Sequence, residues 1–212
     1  QLGDANASGN SVTIQGGEFV TFTDNHTLAI VETDAEASAL RLFDGLLGRD
    51  ADNAGAEYFS NAAATGTSLN TIAEGFLAST EFKNSVNLDF VQDLYTGLLG
   101  RTDGVDADSQ AYWLDQLANG KTQAQVAAEV AVSTEAQANG QSNDDFIESL
   151  YQSALGRNAD TSANGYWVGA LIGGSTRAEV ASQIFGSTEA AHHANVEFVD
   201  SLYTNALGRD VN

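Results

Sequence analysis

The chain has 212 residues and a formal net charge of -21, from 29 acidic and 8 basic side chains, and it contains no cysteine, proline or methionine. Hydrophobic residues make up 42% of the chain, which indicates that it folds. Its length suits one elongated domain or a few small ones. So few lysines and arginines argue against binding to nucleic acid, the absence of cysteine excludes disulfides and thiolate chemistry, and no apolar run approaches the roughly 18 residues needed for membrane insertion.

Residues 1–34 differ in kind from the rest of the chain. Runs of β-branched and aromatic residues at 11–14, 18–22 and 27–31 are separated by turn-forming residues, which predicts two or three short strands. Because an isolated hairpin is only marginally stable, we expect this short β-rich segment to pack on the helices or to continue another sheet.

From residue 35 onward the sequence repeats. The segment LFDGLLGR at residues 42–49 returns in related form at 94–101, 150–157 and 202–209. An aromatic pair and a Ser-Thr-Glu triplet each recur every 54 residues, and a period of this size is typical of tandem structural repeats. We therefore predict helical repeats over residues 35–88, 89–143 and 144–196, followed by the start of a fourth repeat over 197–212.

Each repeat is predicted to contain three helices. The first carries apolar residues at helical spacing and stops at the glycine of its LGR motif. The second contains the aromatic pair and ends at Gly66, Gly120 or Gly174, where a left-handed residue is expected. The third begins with capping-box spacing, as in Thr122 with Gln125. The fold class is therefore mainly α, a tandem array of three-helix units of about 54 residues stacked in series.

The motifs LYTGLLGR, AYWLDQLANG and the Ser-Thr-Glu triplet, taken together, resemble a bacterial domain of unknown function that is repeated in large secreted proteins. Such domains accompany calcium-binding RTX repeats, surface-layer proteins and adhesins exported by type I secretion. A more distant similarity is to the helical linker domain of phycobilisomes. The resemblance covers residues 36–212 and implies a secreted or surface-anchored context, but it implies no reaction.

One arginine follows the helix-ending glycine in every copy of the motif: Arg49, Arg101, Arg157 and Arg209. We expect each to pair with a nearby carboxylate or with the last carbonyls of the preceding helix, because a guanidinium binds both well. A ligand-binding role is the alternative. Recurrence in every unit favours the structural role, since a repeated fold requires the same contact each time.

The loops after these arginines are rich in aspartate. Clustered carboxylates suit Ca²⁺, which takes six to eight oxygen ligands, although the loops lack the full calcium-loop pattern. An aspartate just before a helix is also a common N-cap, so calcium binding and helix capping both stand as interpretations. The candidate metal residues are Asp50, Asp52, Asp103, Asp106, Asp108 and Asp160.

The aromatic pairs are predicted to anchor the core, with their polar tips finding partners at its edge. A sugar-stacking platform is the alternative. The candidate residues are Tyr58, Tyr112, Trp113, Tyr166 and Trp167. Enzyme activity is not expected, because no zinc triad, nucleophile elbow or phosphate loop is found.

These observations predict a non-enzymatic structural and interaction module of a large secreted or cell-surface bacterial protein. Its partners would be other protein chains, either copies of itself or neighbouring surface components. Calcium is a candidate assisting ion, because divalent ions would bridge or screen so strong a negative charge. The alternative is an accessory or glycan-binding region of a secreted enzyme whose catalytic domain lies elsewhere.

Overall fold

A computed structural model describes residues 2–3, 11–12, 19–21 and 27–207. Four short strands lie in the first part: β1 (Leu2–Gly3), β2 (Ser11–Val12), β3 (Phe19–Thr21) and β4 (Thr27–Ala29). β1 pairs with β2 and β3 with β4, both antiparallel. Most of residues 1–26 lies outside the described residues, so the predicted β-rich segment over 1–34 stays a prediction.

The remainder of the described chain is helical, which confirms the predicted mainly α class. The helices are α1 (Asp34–Leu47), α2 (Asn53–Ala64), α3 (Leu69–Ala78), α4 (Thr80–Gly97), α5 (Ala107–Ala118), α6 (Gln123–Ala131), α7 (Thr134–Ala138), α8 (Asn143–Leu155), α9 (Thr161–Ile172), α10 (Arg177–Phe185) and α11 (Thr188–Leu207). The triplets α1–α3, α4–α6 and α8–α10 are three successive copies of one arrangement, here called repeats 1, 2 and 3. The predicted boundaries at 88/89 and 196/197 lie inside α4 and α11.

The ends of the helices follow the signals in the sequence. Thr122 and Gln125 form a capping box at the start of α6, and Thr176 and Glu179 form the equivalent box at α10. The glycines that follow the second helices have left-handed backbones, for example φ 95° at Gly120, which confirms the predicted termination. A residue with a Cβ is strained in this conformation, so glycine is the residue that ends these helices.

The Ser-Thr-Glu triplet leads into the next repeat in two different ways. At Thr80 and Thr188 the helix runs on without a break, giving the long helices α4 and α11. In the middle copy it forms only the five-residue α7, and Gly140, with φ 60°, separates α7 from α8. This copy has two extra residues between the triplet and the next Leu-Tyr motif, and the insertion breaks the helix there.

The described chain divides into two compact units. Unit 1 contains the described residues up to Ser79 together with residues 202–207, and unit 2 contains Thr80–Ser201. The core of unit 1 is built on Ala39, Phe43, Ala63, Ile72 and Phe76 from α1, α2 and α3. Phe43 meets the Phe76 ring edge-on, with ring centroids 4.8 Å apart.

Unit 2 has one continuous core made by repeats 2 and 3 together. Its fully buried residues include Val126 of α6, Leu94 of α4, and Ile147 and Leu150 of α8. Equivalent helices pack on each other across this core: α6 lies against α10, and α4 lies against α8. The α4–α8 contact brings together equivalent motif positions, because a Cβ on Gly97 would lie 3.2 Å from the Cβ of Ser153.

Repeats 2 and 3 therefore pack around an approximate two-fold axis. Such an isologous contact uses the same surface of both partners, as in a symmetric dimer. This differs from the expected stacking in series, in which one face of a repeat would meet a different face of the next. The apolar stripe of the first helix favours the two-fold arrangement because it buries Leu94 and Leu150 in one shared core.

None of the helices in the described part of the chain combines the length and the apolar character needed to cross a bilayer.

Candidate functional site

The recurring residues of repeat 2 meet in one polar and aromatic network. The guanidinium of Arg101 donates to both carboxylate oxygens of Glu135, with Nε and one terminal nitrogen each 2.6 Å from an oxygen. Its other terminal nitrogen donates to Asp106 Oδ2 at 3.0 Å. The same guanidinium lies over the ring of Tyr95, 4.9 Å from the ring centroid. One side chain thus joins the first helix, the aspartate loop and the Ser-Thr-Glu triplet.

The aromatic part of this network is a buried hydrogen bond. Trp113 Nε1 donates to the hydroxyl of Tyr95 at 3.0 Å, and both side chains are buried. The bond satisfies the indole donor inside the core, where an unpaired N–H would cost about 1–3 kcal/mol. Tyr95, Arg101, Asp106, Trp113 and Glu135 are called the repeat 2 network below.

Repeat 3 reproduces the glutamate, ring-stacking and tryptophan contacts of this network, but a terminal nitrogen of Arg157 donates to the carbonyl of Asn158 where that of Arg101 donates to Asp106. Arg157 Nε donates to Glu189 Oε1 at 2.6 Å, and the guanidinium lies 5.1 Å from the ring centroid of Tyr151. Trp167 Nε1 donates to the hydroxyl of Tyr151 at 3.0 Å. The network is more exposed here, because Trp167 is only half-buried and the Arg157 side chain is 42% exposed against 27% for Arg101.

Repeat 1 also places an arginine over one ring of an aromatic pair, but these rings carry no polar groups. Phe43 and Phe59 stand where repeat 2 has Tyr95 and Trp113, and their rings meet edge-on at 5.5 Å. Arg49 lies over the Phe43 ring, 5.2 Å from the ring centroid, and donates to the carbonyl of Asp50. Replacing both polar partners by aromatic hydrocarbons leaves no buried donor without an acceptor.

The network shifts the pKa values of its members. The hydrogen bonds from Arg101 hold the pKa of Glu135 below its ordinary value, and Glu135 in turn raises the pKa of Arg101. The pKa of Asp106 is lowered, first by the backbone N–H of Ser109, then by the Ser109 hydroxyl and by Arg101. Both carboxylates therefore stay charged near neutral pH and can accept hydrogen bonds from Arg101.

The three arginines that the structure describes thus contact the groups expected of a structural role. Arg101 and Arg157 bind carboxylates, and Arg49 lies 3.8 Å from Asp52. Arg209 lies outside the described residues. The sequence interpretation missed the carboxylate partners Glu135 and Glu189, which it noted only as members of the recurring Ser-Thr-Glu triplet. The fixed 54-residue spacing of that glutamate is the signal that could have identified them.

The three spaced aspartates are helix N-caps. Asp52, Asp106 and Asp160 each accept from the backbone N–H three residues later, at 2.8, 2.9 and 2.8 Å. The capping interpretation is therefore confirmed at all three positions. The other candidate metal residues, Asp50, Asp103 and Asp108, are exposed. Within the described residues no three histidine or acidic side chains come together as a group that could hold a metal ion.

The aromatic pairs divide between the core and the surface. Trp113 is buried, but Tyr58, Tyr112 and Tyr166 are 69%, 51% and 66% exposed, so the prediction that these tyrosines anchor the core was wrong. Neighbouring side chains on a helix diverge by about 100°, and only the second member of each pair can face the core. The exposed tyrosines occupy equivalent surface positions 54 residues apart.

Two further polar contacts tie the aspartate loops to the first helices. Gln92 Oε1 accepts from the backbone N–H of Val105 at 3.1 Å, and Glu148 Oε2 accepts from that of Ala159 at 3.1 Å. Gln92 and Glu148 are equivalent positions of α4 and α8. The sequence interpretation did not single out either residue, because a polar side chain on a helix carries no local sign of a partner 11 or 13 residues away.

Three segments of the chain, residues 32–86, 83–140 and 129–194, match a family whose description is Domain of unknown function (DUF4214). Together these matches cover most of the chain. No curated protein and no solved structure matches it.

Proposed function

The chain belongs to the DUF4214 family, and we propose that it is a non-enzymatic structural and interaction module that assembles proteins through contacts between copies of its repeat. The packing of repeat 2 on repeat 3 carries this proposal. α6 meets α10 and α4 meets α8, so each repeat recognises the same surface of the other. A surface that is complementary to itself is the basis of symmetric assembly.

The chemistry of the recurring residues supports this proposal. Arg101 binds the carboxylates of both Asp106 and Glu135, and Arg157 binds the carboxylate of Glu189. Their charges are therefore used to hold the repeats in shape. What each repeat presents to solvent is an acidic surface with an exposed tyrosine, which suits contacts with other proteins.

We further propose that the module works at the cell surface or outside a bacterial cell, as part of a large secreted protein of surface-layer or adhesin type. Support comes from the chain's strong negative charge and from the resemblance of its motifs to repeats of secreted proteins. The charge of -21 keeps copies apart at low salt. Dissolved ions screen that repulsion, since the Debye length falls from about 30 Å at 0.01 M salt to about 8 Å at 0.15 M.

Light scattering on residues 1–212 tests assembly. Mass is measured during titrations with sodium, magnesium and calcium chlorides at matched ionic strength. We expect the mass to grow with ionic strength in all three salts. A chain that stays monomeric in every salt would overturn the proposed self-association.

Growth that occurs in calcium but not in magnesium would assign calcium a specific assisting role. Asp103→Asn with Asp108→Asn is the variant for that case, because these exposed aspartates do not serve as the N-caps of α2, α5 or α9. Loss of the calcium-specific growth in this variant would place the ion at the loop before α5.

Glycan binding is a second candidate function, favoured by the exposed tyrosines. Tyr112 and Tyr166 each offer more than half of their surface to solvent. The buried indole of Trp113 is not accessible for stacking, so a sugar would contact the tyrosine rings. A panel of bacterial surface oligosaccharides tests this by equilibrium dialysis, with Tyr112→Ser and Tyr166→Ser as variants. Binding that both variants abolish would support the glycan role, and no binding by the native chain would exclude it for that panel.

A further inference from the structure

The junction between repeats 2 and 3 is bent, whereas the equivalent junctions at the start of α4 and α11 are straight. In α4 and α11 the helix that begins in the Ser-Thr-Glu triplet continues without a break through the next Leu-Tyr motif. Between α7 and α8 the chain turns at Gly140, whose φ is 60°. The same motif therefore adopts two conformations within one chain.

The bend lies between a residue bound to repeat 2 and a residue bound to repeat 3. On one side of Gly140, Asn139 Nδ2 donates to the carbonyl of Leu99 at 2.8 Å. On the other side, the carbonyl of Gln141 accepts from the guanidinium of Arg177, the first residue of α10. Gly140 is thus the point at which the chain passes from one repeat to the other.

The surroundings of Asn139 also accommodate a straight helix. Its equivalent 54 residues later is His193, whose ring lies beside Gly156, the counterpart of Gly100. At His193 the helix α11 continues without a turn. The packing around the end of an LGR motif is therefore compatible with a bent or a straight junction, and the inserted residues around Gly140 select the bent one.

A straight junction would separate repeats 2 and 3. The short helix α7 is held to repeat 2 by the ion pair of Glu135 with Arg101 and by Ala136, which is buried in the core. A helix that continued in the direction of α7 would carry α8 away from α4, and with it α10 away from α6. Because the two repeats share one core, this separation would expose apolar side chains that have to be covered again.

We propose that Gly140 is a hinge for exchange between chains: when the junction straightens, repeat 2 of one chain pairs with repeat 3 of a second copy. The reverse pair forms from the other two repeats, so every pairing surface is covered and the assembly closes as a dimer. Each exchanged pair keeps the contacts of α4 with α8 and of α6 with α10. The bent and exchanged forms then differ mainly at the junction, which makes such exchange a low-cost route to a dimer.

This inference deepens the proposed function, on which it rests, by naming the surface through which two copies associate. The net charge of -21 opposes the approach of two copies at low salt. Exchange is therefore expected to be favoured by ionic strength, as is the proposed assembly.

Because the chain has no cysteine, two introduced cysteines can report which repeats are paired. A Cβ on Gly186, after α10, would lie 3.7 Å from the Cβ of Ala124 in α6. This spacing suits a disulfide, whose Cβ atoms lie about 3.5–4.5 Å apart. A chain with Ala124→Cys and a chain with Gly186→Cys are unfolded together in urea, refolded in sodium chloride and oxidised in air. A disulfide between the two chains forms when repeat 2 of one pairs with repeat 3 of the other, and each chain refolded alone is the control.

Gly140→Ala, introduced into both chains, tests the hinge. Alanine is strained in the left-handed conformation of the bend but not in a straight helix, so we expect the dissociation constant of the dimer to fall by about tenfold or more. Gly120→Ala is the matched control, because it strains a left-handed glycine at the end of α5 and leaves the junction unchanged. Light scattering measures the dissociation constants.

A mixed disulfide that increases with Gly140→Ala and not with Gly120→Ala would support the hinge. No mixed disulfide above the controls, or the same increase with both glycine variants, would overturn it. Ala124→Cys and Gly186→Cys in one chain provide a second measurement, because their disulfide locks repeat 2 to repeat 3 of the same chain. If the locked chain assembles as the native chain does, exchange is overturned and the proposed self-association stands. If the native chain stays monomeric in every salt while Gly140→Ala yields the mixed disulfide, only the self-association of the native chain is overturned.

Discussion

At the scale of single residues, Arg101 joins three segments of repeat 2: the first helix, the aspartate loop and the Ser-Thr-Glu triplet. Its three nitrogens are directed at two carboxylates while its plane covers the ring of Tyr95. This combination requires a planar, forked cation, which lysine cannot replace. In the three described repeats the arginine after the Leu-Gly pair lies over an aromatic ring of the first helix, and this shared contact explains its recurrence at Arg49, Arg101 and Arg157.

We expect Arg101→Lys to lower the free energy of unfolding by about 1 kcal/mol, because the two-pronged hydrogen bond to Glu135 is lost while one positive charge remains. Urea denaturation followed by circular dichroism measures the change. Arg157→Lys is the matched control and should lose less, since its ion pair with Glu189 is more exposed. If Arg157→Lys lowered the free energy of unfolding as much as Arg101→Lys or more, burial of the ion pair would not explain its contribution to stability.

The Tyr95–Trp113 hydrogen bond is expected to show coupling in a double-mutant cycle. Tyr95→Phe leaves the buried indole N–H without its acceptor, and Trp113→Phe removes the donor. We expect the double variant to be less destabilised than the sum of the two singles by about 0.5–1.5 kcal/mol. Repeat 1, with Phe43 and Phe59, already carries the doubly apolar pair. Strict additivity would show that the bond contributes nothing to stability.

At the scale of helices, the glycines set where each element stops. Gly120 has φ 95° and ends α5, while Gly169 lies inside α9 with no neighbouring atom within 4 Å of where a Cβ would be. The first position requires glycine for its backbone conformation, and the second does not. The same reasoning explains why the middle repeat has a separate α7, because Gly140 interrupts the helix that runs unbroken in α4.

Replacing these two glycines by alanine should change the free energy of unfolding in opposite directions. Gly120→Ala is expected to destabilise the chain by about 1 kcal/mol, since an L-residue is strained at that φ. Gly169→Ala is expected to stabilise it by about 0.5–1 kcal/mol, because glycine is a poor residue inside a helix. Thermal unfolding of both variants measures whether each one is destabilised or stabilised relative to the native chain. Destabilisation by Gly169→Ala would indicate a contact on that face of α9.

At the scale of the whole molecule, charge has two opposing effects on stability. The net charge of -21 destabilises the compact state through repulsion. Burial raises the pKa of Asp93 on α4, as do the nearby carboxylates of Asp89 and Glu197, so protonating it favours the folded chain. The pKa of Glu135 is lowered by Arg101, and protonating this group works against folding.

The pH dependence of Arg101→Gln separates these effects. The pKa values of Glu135 and Asp106 in the folded chain lie below their ordinary values of 4.5 and 3.8. The stability that these carboxylates gain from Arg101 is therefore fully present above pH 4.5, and it is lost as the pH falls through their lowered pKa values. We expect the wild type to be more stable than the variant at pH 7 and the difference to shrink below about pH 4. Urea denaturation of both proteins between pH 7 and pH 2.5 measures this difference in the free energy of unfolding. A difference that does not change with pH would contradict the predicted effect of protonating Glu135 and Asp106.

The sequence predicts those contacts of the candidate site that join residues close together in the chain, and it misses those between distant segments. The capping box at Thr122 was predicted, and capping was one of the two interpretations at Asp106 and Asp160, because a cap joins residues only three positions apart. The partner of Arg101 was missed because Glu135 lies 34 residues away, and no local pattern relates the two. The exposure of Tyr112 follows from the divergence of neighbouring side chains on a helix, so that error could have been avoided.

By itself the sequence determined the helices, their ends and the repeat, because these depend on periodicity, caps and glycines over at most a few turns of chain. The tertiary structure alone decided that repeats 2 and 3 pair about an approximate two-fold axis and that Leu69 and Leu77 of α3 are partly exposed. Those outcomes depend on which apolar stripes are complementary in shape. Packing of side chains from distant segments sets that complementarity, and no local pattern in the sequence reveals it.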